Sequence, residues 1–120
     1  FPEPQALLST TPRLPGTDGR TMHTCYGNSI PLAASPQELK KLVWSMVTDP
    51  ARIHAHDLGH PDICPLSQVH LALAQPAAAA IAEECRRGAV TCVHHKGVLA
   101  ELLTEQLEPF RRIREQWRVA

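Results

Sequence analysis

The sequence predicts an all-α fold, a bundle of four to five helices that follows an irregular, proline-rich arm. Aromatic residues make up only 4% of the 120 residues, so Leu, Val, Ile and Ala must form the core, which suits packed helices. From position 35 onward apolar residues recur at helical spacing, whereas five of the eleven prolines lie before it. We therefore divide the chain into an arm, residues 1–34, and a helical domain, residues 35–120. A chain of this length buries roughly 65% of its unfolded surface and needs no disulfides.

The arm is expected to remain without regular structure. Each proline removes a backbone donor, and the three glycines of this segment favour turns. We expect a loop with at most a short strand at residues 6–8. Such a segment cannot form a core of its own, so we expect it to be the edge of something larger.

The first helix carries the clearest signals for its start and its end. Residues 35–38 read Ser-Pro-Gln-Glu, a capping box with proline at the first helical position. Apolar residues from Leu39 to Val47 then recur on one helical face. Asp49-Pro50 is expected to end this helix, because the residue before a proline disfavours the helical conformation.

Two shorter helices are predicted to follow. Pro65 is expected to begin the second helix, with His70 on its apolar face as a hydrogen-bonded histidine at or near the core. Pro76 is expected to begin the third helix, which runs through residues 77–87 and is rich in alanine. Gly88 then provides the C-cap.

The last helix is predicted from about Lys96 to Trp117, with leucines at helical spacing. Pro109 lies inside it. Because proline lacks the backbone donor and its ring clashes with the preceding turn, we expect the helix to bend or restart there.

Three cysteines and one histidine form the main candidate site. Three thiolates and an imidazole suit a tetrahedral zinc ion, or an iron–sulfur cluster in which one cysteine is replaced. The same residues could instead be small buried hydrophobes, since free cysteine is among the most buried residue types. The spacing alone leaves both interpretations open. The candidate ligands are Cys64, Cys85, Cys92 and His95.

A second histidine group lies in the loop between the first and second helices. Its spacing, His-x-His-x3-His, resembles a metal-binding pattern, but no cysteine or carboxylate is fixed beside it. We therefore expect three solvent-exposed histidines. They are His54, His56 and His60.

The charge distribution limits the classes of partner. A formal net charge of zero argues against nucleic-acid binding by a generally basic surface, and thus against a DNA-binding protein. The segment from Arg86 to the end nevertheless holds seven basic and four acidic residues. Its arginine cluster either contacts phosphates or is a solvated helix face. The cluster comprises Arg111, Arg112, Arg114 and Arg118.

The remaining sequence features predict a cytoplasmic protein. No apolar run approaches the ~20 residues of a membrane span, and nothing resembles a signal peptide. The cysteines suit reduced thiols or metal ligands in the cytoplasm better than a secreted disulfide set. A free-standing cysteine or histidine hydrolase is disfavoured, because nothing orients a Cys–His pair.

Two stretches of the chain together resemble the C-terminal part of bacterial tryptophanyl-tRNA synthetases. The first contains FPEP at 1–4, LPGTDGR at 14–20 and YGNSIPL at 26–32, which in that family flank the KMSKS signature loop. The second contains VTDPARI at 47–53, GHPDICP at 59–65, CRRG at 85–88 and CV at 92–93. These segments resemble the subgroup whose helical domain binds a [4Fe–4S] cluster through four cysteines near the anticodon-recognition region.

The resemblance implies that the signature loop is degenerate here. The five positions of Lys-Met-Ser-Lys-Ser are occupied by Thr21, Met22, His23, Thr24 and Cys25, with Gly27 and Asn28 beside them. In the family these lysines stabilise negative charge on the ATP phosphates, and a threonine hydroxyl cannot supply that charge. ATP is expected as a ligand only where an upstream catalytic domain is present.

The resemblance also implies a changed metal site. The family pattern ends in Cys-x2-Cys, and the last position is His95 here, with His94 next to it. Histidine is a legitimate ligand in Rieske iron–sulfur centres and in Cys3His zinc sites.

Two functions follow from the resemblance. The first is a C-terminal, tRNA-facing helical domain without catalysis of its own, in a parent protein that is a homodimer. The alternative is a pseudo-synthetase module that binds a partner protein or senses metal or redox state. Neither involves a membrane.

Overall fold

The computed structural model describes residues 1–54 and 56–119, except for the side chains of Gln75 and Val119. It contains a short 3-10 helix at Thr24–Tyr26 and four α-helices. These are α1 (Pro36–Trp44), α2 (Pro65–Leu73), α3 (Gln75–Arg86) and α4 (Cys92–Val119). The predicted all-α class is confirmed. The short strand expected at residues 6–8 is absent from the described part of the chain, where the one β-bridge joins Pro15 to Thr21.

Helix α1 begins as predicted but ends earlier than expected. The Ser35 hydroxyl accepts a hydrogen bond from the Glu38 N–H, and proline occupies the first turn. The helix stops at Trp44 and not at Asp49. Beyond it, the Val47 N–H donates to the carbonyl of Thr17 at 3.0 Å, so the chain bonds to the arm instead of continuing the helix.

Helices α2 and α3 follow each other almost directly. Only Ala74 separates them, so α3 begins at Gln75, close to the predicted Pro76. Past the end of α3, Gly88 has a φ of 70°. The Gly88 N–H donates to the Cys85 carbonyl and the Ala89 N–H to that of Glu84, which is a Schellman motif. The predicted role of Gly88 in ending the helix is confirmed.

Helix α4 begins earlier than its leucine pattern predicts and does not restart at its proline. It begins at Cys92 and not near Lys96, because the Thr91 hydroxyl caps it by accepting from the His94 N–H at 3.1 Å. It also runs through Pro109 as one helix without restarting. Proline leaves the Glu105 carbonyl without its helical donor, and the Arg111 guanidinium donates to the adjacent carbonyl of Thr104 at 2.9 Å.

The core lies where α4 packs against α1 and α2. Its buried residues come from the end of the arm, from α1 and the turn after it, from the start and middle of α2, and from the first four turns of α4. They are Ala34, Leu39, Val43, Met46, Cys64, Leu66, Val69, Leu99, Ala100, Leu103 and Leu107. In the described part of the chain, no helix is both long and apolar enough to cross a membrane.

Candidate metal centre and basic helix end

The four candidate ligands lie at the ends of three helices. Cys64 immediately precedes α2, Cys85 is in the last turn of α3, Cys92 is the first residue of α4, and His95 lies one turn later. Cys64, Cys85 and His95 are buried and Cys92 is half-buried, while His94 is exposed. Proximity of three helix ends therefore brings together residues that are far apart in sequence. All four cysteines of the chain are free thiols.

The Cys85 thiol has the most closely packed surroundings. A Cβ atom added to Gly59 would lie 2.2 Å from its sulfur, and the Gly59 N–H donates to the Cys85 carbonyl at 2.8 Å. Burial raises the pKa of the Cys85 thiol, the charge of Arg52 opposes this, and the nearby Cys64 and Cys92 thiols raise it further. The three thiols are therefore close enough to interact electrostatically.

Arg52 joins this cysteine site to the start of α4. Its Nη1 lies 3.7 Å from the Cys85 sulfur, and its Nη2 donates to the carbonyl of Val90 at 2.7 Å. A cation at this distance favours the thiolate form, which is the form that binds metals.

His95 contacts another histidine. Its Nε2 lies 2.8 Å from Nδ1 of His70, and the two ring centroids are 5.0 Å apart. Burial, followed by the charges of His70 and His94, lowers the pKa of His95 to about 4, and burial lowers that of His70. The expectation that His70 is a buried, hydrogen-bonded histidine is confirmed. Within residues 1–54 and 56–119, no three His, Cys, Asp or Glu side chains converge on one point as the ligands of a single ion would.

One buried hydroxyl beside the cysteines has no partner. Ser67 is 2% exposed and its Oγ makes no hydrogen bond to the described residues. It lies one helical turn after Cys64, on the same face of α2. Ser67 is thus a buried donor without a described partner one helical turn from Cys64.

The loop over Cys85 is held by Asp49. Its carboxylate accepts hydrogen bonds from the N–H of Ala51 at 2.8 Å and of His60 at 2.7 Å, and it contacts Nδ1 of His60 at 2.8 Å. Burial raises the pKa of Asp49, but these hydrogen bonds and the charge of His60 outweigh it and the pKa falls below its ordinary value. The histidines at positions 54, 56 and 60 are exposed, as predicted.

Asn28 organises the loop at residues 21–25, which the resemblance predicts to be the signature-loop remnant. Its buried side-chain amide donates to Asp18 at 2.8 Å and to the carbonyl of Thr21 at 3.2 Å, and its Oδ1 accepts from the His23 N–H at 3.0 Å. A Cβ atom on Gly16 would lie 2.4 Å from this side chain. Asn28 thus holds the loop's shape. Residues 21, 23, 24, 25 and 27 lie exposed around it, and Met22 is half-buried.

The four arginines of the predicted nucleic-acid contact fall into two groups. Arg111 is only 12% exposed at its side chain, and it donates to carbonyls of Ala34 and Thr104 and pairs with Glu108. It therefore joins α4 to the end of the arm. The other three, Arg112, Arg114 and Arg118, are exposed.

Sequence reasoning missed the residues that surround the cysteines. Arg52 and Gly59 belong to the segments that carry the family resemblance. The sequence therefore marked these segments, but it did not indicate that either residue contacts Cys85. The contact of His70 with His95 could not be read from spacing, because it depends on how α2 packs against α4. Ser67 has no sequence signal.

Comparison with known proteins gives one consistent result. No family model matches the chain. It is 42% identical over 118 residues to a tryptophan–tRNA ligase of Aquifex aeolicus, covering 97% of this chain and 30% of the ligase. It is 40% identical over 121 residues to the tryptophan–tRNA ligase of Thermotoga maritima, covering 96% of this chain and 37% of that protein. The chain thus spans about a third of the length of these relatives.

Solved structures show the same similarity. The fold matches tryptophanyl-tRNA synthetase of Campylobacter jejuni, solved with ADP and tryptophan, with a TM-score of 0.76 and 25% identity over 83% of this chain and 31% of that one. It matches the enzyme of the archaeon Aeropyrum pernix with a TM-score of 0.70 and 26% identity, covering 78% and 27% of the two chains. The homologues are ligases of which this chain corresponds to a C-terminal part.

Proposed function

We propose that this chain is the C-terminal, tRNA-facing helical domain of a tryptophanyl-tRNA synthetase or of a protein derived from one. The observation that carries the proposal is the 42% identity that extends over 97% of the chain but over only 30% of the relative. Such a match is expected of one region of a larger enzyme. The cytoplasm is the proposed location, since free thiols suit a reducing compartment.

Binding, and not catalysis, is the proposed role of these residues. The signature-loop remnant carries threonine at both lysine positions, Thr21 and Thr24. Neither hydroxyl can balance the phosphate charge that develops when ATP reacts. Activation of tryptophan, if the parent protein performs it, is therefore proposed to depend on residues outside this chain.

The tRNA contact is proposed at the exposed C-terminal end of α4. Arg112, Arg114 and Arg118 present positive charge on a stretch of helix that lies beyond the core, and exposed arginines suit phosphate contacts. Arg111 is left out of the contact because its guanidinium is largely buried and is bonded to backbone carbonyls of the arm and of α4. Arg112 and Arg118 pair only with exposed glutamates on the same helix, Glu108 and Glu115, so their guanidinium groups stay accessible.

Binding to a tryptophan-tRNA transcript tests this role. The affinity should fall with salt, and replacing the three exposed arginines by glutamine should reduce the slope of log affinity against log salt by about 2 to 3, since each phosphate contact contributes roughly 0.7–0.9. Arg13→Gln, an exposed charge in the arm, is the matched control and should leave the slope unchanged. The proposal would be contradicted if both variants reduced the slope equally, or if the wild type did not bind tRNA at low salt.

A metal centre is the second part of the proposed function. We infer that Cys64, Cys85, Cys92 and His95 hold an iron–sulfur cluster or a zinc ion, whose bonds would tie the ends of α2, α3 and α4 together. Support comes from the donor set and from the electrostatic proximity of the three thiols. Thiolates and imidazole are ligands for both centres.

Metal and sulfide analysis of protein purified without oxygen tests the centre and identifies it. Iron with sulfide and broad absorption near ~400 nm would indicate a cluster, and stoichiometric zinc without sulfide would indicate a single-ion site. Either should be lost in Cys85→Ser and kept in Cys25→Ser, the exposed cysteine of the loop remnant. A wild-type protein without metal would overturn this part and leave the tRNA-facing role to its own test.

A further inference from the structure

Beyond the core, α4 exposes an apolar stripe that contains two aromatic side chains. Phe110, Ile113 and Trp117 are 57%, 53% and 76% exposed. Their spacing of three and four residues places them on one face of the helix. Leu107 is the last residue of α4 in the buried core, so the described part of the chain leaves most of this stripe open to solvent.

The charges around the stripe are sorted by sign. At roughly 100° of rotation per residue, Arg114 and Arg118 lie within about 80° of Phe110. Glu108 and Glu115 lie on the opposite side of the helix. Arg114 makes no ion pair with the described residues, and the pair of Arg118 with Glu115 is exposed. The surface beside the aromatic rings is therefore positive.

Aromatic rings beside a positive charge distinguish among classes of partner. A second copy of the chain is disfavoured, because packing two such helix ends together would place arginine against arginine. A purely apolar partner would use the stripe but not the adjacent charge. An unpaired nucleotide matches both features, since its base stacks on an aromatic ring and its phosphate binds an arginine.

We propose that Phe110 and Trp117 stack on bases of unpaired nucleotides in the tRNA, while Arg114 between them binds a phosphate. This inference rests on the tRNA-facing role proposed above and extends it from phosphates to bases. The two rings lie roughly 10 Å apart along the helix axis, so each holds its own base. Because a duplex keeps its bases paired and stacked inside, the site selects a single-stranded loop.

Affinity for two RNA probes tests the inference. The probes are a hairpin copied from the anticodon arm of a tryptophan tRNA and a blunt duplex with the same number of phosphates. The wild type should bind the hairpin more tightly. Trp117→Leu should lower the hairpin affinity by about 5- to 150-fold, the usual loss for one stacked base, and should leave the salt dependence unchanged. Trp117→Phe keeps an aromatic ring and should retain most of the affinity.

The second tryptophan provides the matched control. Trp44 is 44% exposed but lies on α1, so Trp44→Leu should leave both affinities unchanged. Phe110→Leu should weaken hairpin binding as Trp117→Leu does. Circular dichroism and thermal unfolding verify that each variant is folded.

Fluorescence reports the contact directly. In a Trp44→Phe background Trp117 is the only tryptophan of the chain. The hairpin should quench its emission and the duplex should not, because only an unpaired base can lie on the ring. Quenching by both probes, or by neither, would overturn the inference.

The affinities also separate this inference from the proposed function. It is wrong if Trp117→Leu binds the hairpin as tightly as the wild type, or if the duplex binds equally well. The tRNA-facing role would then still stand if the arginine substitutions reduce the salt slope. Self-association of the wild type that Trp117→Leu abolishes would likewise overturn the inference, because the stripe would then be an interface between copies. A wild type that binds no tRNA would overturn both.

Discussion

Gly59 packs closer to Cys85 than any side chain would allow. Its added Cβ would lie 2.2 Å from the Cys85 sulfur and 2.8 Å from the Cys85 carbonyl oxygen, and the second atom belongs to backbone that cannot rotate away. We expect Gly59→Ala to destabilise the fold by about 1–3 kcal/mol, the usual cost of overpacking, and to lower the occupancy of the proposed metal centre. Urea unfolding and metal analysis measure the two effects.

The control for Gly59 is another glycine. A Cβ at Gly97, inside α4, would have nothing within 4 Å. Since alanine is favoured over glycine within a helix, Gly97→Ala should stabilise the protein by up to about 1 kcal/mol. Loss of stability in both variants, or in neither, would contradict the packing argument.

At the same scale, the candidate ligands could be named from the sequence but their surroundings could not. The sequence identifies candidate ligands by residue type alone, because cysteine and histidine are the usual ligands of such centres. These are Cys64, Cys85, Cys92 and His95. The contacts of Arg52 and Gly59 with Cys85 depend on the path of an irregular loop, and no periodicity specifies such a path.

The start of α4 depends on one hydroxyl. Thr91 caps the helix through the His94 N–H. We expect Thr91→Ala to cost about 1 kcal/mol and Thr91→Ser to cost clearly less, because serine keeps the acceptor. Chemical denaturation of the three proteins measures this. If serine and alanine destabilised equally, the threonine methyl and not the cap would be responsible.

The existence of the helices was predicted better than their ends, and the start of α4 at Thr91 shows why. The predicted start near Lys96 followed the first strongly periodic leucines, whereas the helix begins at its capping residue. Conversely, α1 was predicted too long because its end is decided by the bond of Val47 to Thr17 in the arm. Local patterns specify where a helix can form, while contacts distant in sequence decide how far it extends.

At the scale of the whole molecule, stability should fall at acid pH, because Asp49 holds the loop between α1 and α2. Its pKa is lowered in the folded protein, so the carboxylate contributes stability that is fully present above its unfolded pKa of about 4 and is lost as the pH falls through the folded value. Asp49→Asn should therefore be less stable than the wild type at pH 7, and the difference should shrink below about pH 4. Urea unfolding between those pH values measures it, and a difference independent of pH would contradict this.

The contribution of α4 to the fold should end where its contact with the core ends. Leu99 is fully buried in the core, whereas Ile113 is 53% exposed on the projecting end. Leu99→Ala should cost about 2–5 kcal/mol, because it leaves a cavity in the core. Ile113→Ala, on the same helix, should change stability by no more than about 0.5 kcal/mol.

Both substitutions are compared by urea unfolding at two protein concentrations. Suppose that Ile113→Ala lowers the free energy of unfolding strongly and equally at both protein concentrations. The end of α4 would then pack within the folded chain, which would contradict the division of α4 into a core half and a projecting half. The expected result would show that the projecting end adds little to folding, and the exposed ion pairs of Arg112 and Arg118 on it contribute at most about 1 kcal/mol each. Their substitution in the tRNA experiment should then change binding far more than stability, because the helix that carries them is held by its other half.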